Sequence, residues 1–199
     1  MHANAALLTA QALRSRGLGI FAAGCFGAFW AVAGLDACRG TFTPAGFAAT
    51  FLALAACLAA AAHLMHLARR AGLADMPASH RRRTRHRFLL IFIAEVVAIN
   101  IAAWWLVPQH TAYLMPVIAV IVGLHFYPLM PLFRAPHYRV AATVMSMAGV
   151  LGMAAIALGA DKAACNALVD LACALTLWAS CFASWRSALR ALSLATAFA

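Results

Sequence analysis

Negative charge is what this chain has least of. Its 199 residues hold five Asp and Glu against fifteen Lys and Arg, and only 10% of them are charged. Soluble domains carry about 25% charged residues and about 45–50% apolar ones. Here 66% of the residues are hydrophobic and the mean hydropathy is +0.89. A water-soluble fold of this length could not cover so much apolar surface. Catalytic signatures are also missing. No P-loop and no GxGxxG is present, which argues against a nucleotide-driven pump in this chain. Neither HExxH nor GxSxG occurs, so the zinc-protease and serine-hydrolase patterns are absent. The six cysteines, Cys25, Cys38, Cys57, Cys165, Cys173 and Cys181, form no CxxC pair. That leaves no thioredoxin-type motif and no zinc knuckle. Five of them lie in apolar runs, where a free thiol behaves as a small hydrophobe. Position alone makes Cys38 and Cys165 a candidate disulfide.

What is present is a series of six apolar runs: about 17–37, 45–67, 88–107, 111–133, 139–160 and 163–185. Each is long enough to cross about 30 Å of hydrocarbon at about 1.5 Å per helical residue. Only helices and closed barrels satisfy their backbone groups in lipid, and these runs lack the alternation of barrel strands. The expected fold is therefore all-α: a polytopic six-transmembrane-helix bundle forming a single domain over residues 1–199. Arg14 and Arg16 before an apolar run, with Ala31-Val32-Ala33 behind, have the outline of a signal peptide. We read this segment as retained, as the first span. Residues 1–13 are mildly apolar and suit a short interfacial helix. No internal repeat is visible.

Basic residues give the direction. Arg14, Arg16, the second loop (seven Arg between 69 and 87), Arg134, Arg139, Arg186 and Arg190 fall on one side. Arg39 and Lys162 fall on the other. Thirteen against two places both termini in the cytoplasm. The basic connection 68–87 is expected to be a cytoplasmic loop that sets topology and meets anionic lipid. The same charge in a soluble chain would suggest nucleic acid; between apolar runs it does not, and no nucleic-acid partner is expected. The expected surroundings are the lipid bilayer, with a homo-oligomer as the protein partner considered. No cofactor is expected.

Polar residues inside the runs are the functional candidates, because charge near the bilayer centre costs about 2.5–3.5 kcal/mol on insertion scales. Glu95 lies eight residues after Arg87 and His125 eight before Phe133. Both are therefore about 12 Å from the cytoplasmic edge, on spans running in opposite directions. His63 is about 9 Å in, and with them it makes an inner polar tier. Asp170 and Asn100 form an outer tier, with Asn166 and Cys173 on the Asp170 face. His63 and His66 have the i,i+3 spacing of metal ligands and are weak metal candidates. Pro128 and Pro131 remove the amides that would bond the Leu124 and Tyr127 carbonyls. Two free acceptors are thus expected within a turn of His125. Trp30, Trp104, Trp105, Trp178 and Trp185 read as interfacial anchors. Gly24, Gly27, Gly149, Gly152, Ala155 and Gly159 read as small faces for close helix packing.

Two segments, "RSRGLGIFAAGCFGAFW" (14–30) and "IVGLHFYPLMPLFRAPHY" (121–138), resemble a family of small bacterial multi-span proteins that share a GLHFxPL segment. The resemblance implies a helical protein of the bacterial inner membrane and carries no mechanism. Taken together, the expectation is a small transporter or channel-like protein moving a proton, cation or small solute through a polar site at Glu95, His125 and His63. Asp170 and Asn100 would form its opposite entrance. The alternatives are an integral-membrane enzyme acting on a lipid or apolar substrate, and a non-catalytic membrane subunit or sensor.

Overall fold

The computed structural model describes residues 10–38, 43–70, 78–133 and 135–197. It contains six α-helices: α1 (Ala10–Ala37), α2 (Thr43–Arg70), α3 (Ala78–Leu106), α4 (Leu114–Phe133), α5 (His137–Ala157) and α6 (Lys162–Ala197). A single 3-10 turn, Thr111–Tyr113, leads into α4. Among the described residues there is no strand. All six helices are long and apolar enough to cross a membrane, which makes a multi-pass membrane protein.

The apolar runs give the number of helices correctly but understate their lengths. α1 begins seven residues before the expected span, so residues 10–16 continue it. α6 runs on to Ala197, twelve residues past Ser184–Trp185, and takes in most of the tail. α3 begins at Ala78, so the basic segment Arg82–Arg87 is helical and only 71–77 separates it from α2. Hydropathy marks where lipid can begin; it does not mark where backbone hydrogen bonding stops. Residues 1–9, Arg39 and Arg134 lie outside the described residues.

Helix ends are set locally. Asp161 caps α6: its Oδ1 accepts the Ala164 N–H at 2.8 Å, satisfying one of the free amides of the first turn. α5 stops at Gly159, whose φ of +90° suits a residue without a Cβ. The Ala160 and Gly159 amides turn back to the Ala155 and Ile156 carbonyls at 3.0 and 3.1 Å. This is a Schellman closure, so Gly159 terminates a helix and does not pack against one.

α6 is the axis of the bundle and packs against α1, α2, α4 and α5. α1 joins α2 to α6, and α4 lies on α5. One apolar cluster, near the end where α1 begins and α6 finishes, brings together Leu13 and Ile20 of α1, Leu64 of α2 and Ala188 of α6. A second joins Trp30 of α1, Ala119 of α4, Met145 of α5 and Leu177 of α6. The α4–α5 contact is close because Gly149 has no side chain. A Cβ there would collide with the Pro116 carbonyl oxygen and come within 2.7 Å of the Val120 Cγ2. Small residues let helices approach in this way in lipid, where packing replaces the hydrophobic drive. α3 contributes to neither cluster; it packs on α4.

Two tryptophans are not interfacial anchors. Trp30 is 2% exposed in the second cluster, and Trp178 lies under Gly27. Trp104 and Trp105, at 81% and 77% exposure, do face outward at the end of α3. All six cysteines are free thiols, Cys38 exposed and Cys165 buried, so that pairing is not formed.

Candidate functional site

The "FLLIFIAEVVAIN" run of α3 has one ionisable residue, Glu95, and "IVGLHFYPLMPLF" of α4 has His125 and the phenol of Tyr127. The two helices run antiparallel, so residues equally far from one end of the bundle come level. The His125 Nδ1 and the Glu95 Oε2 are 3.1 Å apart, with side chains 10% and 13% exposed. Nδ1 makes no aligned hydrogen bond, so the contact is a close approach of the two groups. The ring also lies against the Ile91 backbone, one turn back along α3.

Around the pair the interface is apolar and, towards the basic end, aromatic. Phe88 of α3 meets Phe133 of α4 edge-on at 5.9 Å between centroids. Tyr138 of α5 stands edge-on to Phe133 at 6.4 Å and to Phe126 at 5.3 Å. This aromatic layer sits between the pair and the arginines of the α3 extension. α4 stays helical through Pro128 and Pro131. The Tyr127 hydroxyl fastens this segment to α5 by donating to the Thr143 Oγ1 at 3.0 Å, which in turn donates to the Arg139 carbonyl at 3.0 Å. Two residues before His125, Gly123 lets α5 approach so closely that an added Cβ would strike the Ser146 Oγ. That hydroxyl is buried without a partner.

The expected inner tier is only partly assembled. His63 is on α2, which packs on α1 and α6, away from the α3–α4 contact. Its Nδ1 accepts the Trp185 indole N–H at 3.3 Å. Depth in the membrane matches His63 to the pair, but lateral position separates them. His66 is exposed. Among the described residues no group of three or more His, Cys, Asp or Glu could hold a metal ion, so His63 and His66 lack further ligands. The outer tier is likewise divided. Asn100 is exposed and donates from Nδ2 to the Val96 carbonyl of its own helix at 2.8 Å. Asp170 is 1% exposed on α6, against Gly34 of α1.

A polar cluster that sequence reading did not single out lies where α1, α5 and α6 meet. His137 Nε2 and Ser184 Oγ are 2.7 Å apart, and the His137 ring stands edge-on to Tyr138 at 4.8 Å. Arg16 buries its Nη1 there without a partner. A cavity of about 10 Å³ lies alongside, lined by Gly19, Phe126, Tyr138, Ser180 and Ser184 among others. That is about the room one water needs. The signal was Ser180 and Ser184 at i,i+4 on α6, hidden because Arg16 reads as a topology charge. At the other end of the bundle, an open vestibule of about 620 Å³ is lined by Asp36, Thr111, Lys162 and Asn166.

No family model matches the chain, and neither a curated protein nor a solved structure matches it.

Proposed function

We propose that this protein is a small transporter of the bacterial inner membrane, with both termini in the cytoplasm, in which the Glu95–His125 pair binds and releases a proton or a competing cation. The observation that carries this is the 3.1 Å approach of the two groups inside an otherwise apolar helix contact. Ionisable residues in spans mark ion pathways and proton relays by default. The pair can hold one proton in two arrangements: acid beside neutral imidazole, or carboxylate beside imidazolium. Gain or loss of a further proton then changes the charge at the α3–α4 contact by one unit. Because α3 packs on α4, that change acts on the surface holding α3 to the bundle. The excess of basic residues at the end bearing the termini supports the orientation.

The test is flux in liposomes containing the purified protein and a trapped pH-sensitive dye. An imposed gradient should drive proton or cation movement, reduced about tenfold or more by Glu95→Gln and by His125→Ala, as expected when a relay group is lost. Flux equal to wild type in both variants would sink the assignment.

A further inference from the structure

The second intramembrane carboxylate has surroundings unlike the first. Asp170 is 1% exposed, and its Oδ1 has no hydrogen-bond partner. Asn166, four residues earlier, buries its own Oδ1 without a partner. Four residues span about 6 Å along one face of a helix. Two oxygens that need donors therefore stand one above the other in the interior.

Asn166 belongs to two places at once. It lines the vestibule with Asp36, Thr111 and Lys162, and it is the polar group one turn above Asp170. The column therefore leads from open water to the buried carboxyl.

An ionised carboxylate this deep needs a cation, since burying one unpaired costs several kcal/mol. The neighbours supply none. α1 presents Trp30, Ala31 and Gly34; Ala119 of α4 and Met145 of α5 pack into the same cluster, with Val169 and Cys173 beside Asp170 on α6. Cys173 is the titratable group next along the face. Among the described residues, charge at that end is carried by Asp36 and Lys162 at the vestibule and by Asp161 at the start of α6, and at the nearby 3-10 turn Tyr113 rests edge-on to His110. Space is limited too. A Cβ on Gly34 would stand 3.1 Å from the Asp170 Cβ and 3.2 Å from the Ala167 carbonyl oxygen. Packing this close fits a proton on the carboxyl and excludes a hydrated ion.

We propose that Asp170 is a proton-binding site loaded from the vestibule past Asn166. The proposal deepens the transport reading, on which its purpose rests, by adding a second proton station at the opposite end of the bundle. Its occupancy can be measured without any transport.

Dicyclohexylcarbodiimide is the probe, applied to the full chain in phospholipid vesicles. A protonated carboxyl adds its oxygen to the carbodiimide carbon and its proton to a nitrogen, and the adduct rearranges to a stable acylurea; an ionised carboxylate has no proton to give. Mass spectrometry of the digested protein should find the label on Asp170. Labelling should fall by about tenfold per unit of pH on the alkaline side of the titration, following the pH on the vestibule side. Asn166→Leu, which puts an apolar group at the vestibule floor, should slow that response. The infrared carbonyl band of a protonated acid should be lost in the near-isosteric Asp170→Asn.

No label on Asp170 at any pH, while the denatured protein labels there, would overturn the proposal. So would labelling that follows the other side's pH, or that sodium suppresses at fixed pH, since the latter marks a metal-cation site. A failed flux test at Glu95 and His125 would leave all of these readouts unchanged, so the two failures are distinguishable.

Discussion

α3 and α6 each carry one carboxylate inside the membrane, and they treat it in opposite ways. α6 is the axis of the bundle: half of its most apolar stretch is buried, and it touches four helices. None of the corresponding stretch of α3 is buried, and α3 packs on α4. Yet the peripheral helix has the paired acid, Glu95 with His125, and the central helix has the unpaired one, Asp170. The difference follows from what holds each helix. α6 is held by packing on several sides, so it can keep a polar group that contributes nothing to cohesion. α3 has one packed side, and its carboxylate sits in that side, facing the His125 ring. The polar contact is part of what attaches α3; in α6 the buried carboxyl is a burden that packing tolerates.

This contrast can be broken at three levels. The largest effect should come from Leu177→Ala on α6, where the side chain is 2% exposed between helices. The cavity left should lower stability by about 2–3 kcal/mol, read as a shift in unfolding by denaturant in detergent micelles. A smaller effect is expected at the α3–α4 contact. A double-mutant cycle of Glu95→Gln and His125→Ala should give a coupling of about 1 kcal/mol, within the range of polar pairs in membranes. Hydrogen exchange should show α3 loosening more than α6 in the single variants. The smallest effect should be Val97→Ala on α3, a residue 50% exposed: below about 0.5 kcal/mol by the same unfolding measurement. If Val97→Ala costs as much as Leu177→Ala, α3 has another partner covering it, and the comparison fails.

The reach of the sequence follows from what periodic rise can measure. Depth is legible, because each helical residue advances about 1.5 Å, and on that basis alone Glu95 and His125 come level. Lateral neighbourhood is not legible. His63 has a similar depth and is on the wrong side of the bundle, and Asn100 and Asp170 are carried by helices that do not pack together. The small residues hinted at close approach, but not that Gly34 would close over Asp170 while Gly159 ended α5. Tryptophan position misled for a related reason. A ring near the end of a span faces lipid or core according to its angle around the helix, and Trp30 turns to the core. The His137–Ser184 bond joins residues 47 apart across two helices, and no local pattern announces it.

The attachment of α3 also has a consequence during synthesis. Chains grow N-terminus first, so Glu95 emerges from the ribosome 30 residues before His125 does. At about 5–20 residues per second, that interval is about 1.5–6 s. For those seconds the carboxylate has no imidazole, and α3 has not yet met the helix it packs on. In the proposed orientation, the arginines at Arg82–Arg87, ahead of it in the chain, would already be in place to hold its leading end at the entry side. In the proposed orientation, the basic extension of α3 would serve as a brake that keeps an incomplete helix from crossing before its counterpart emerges.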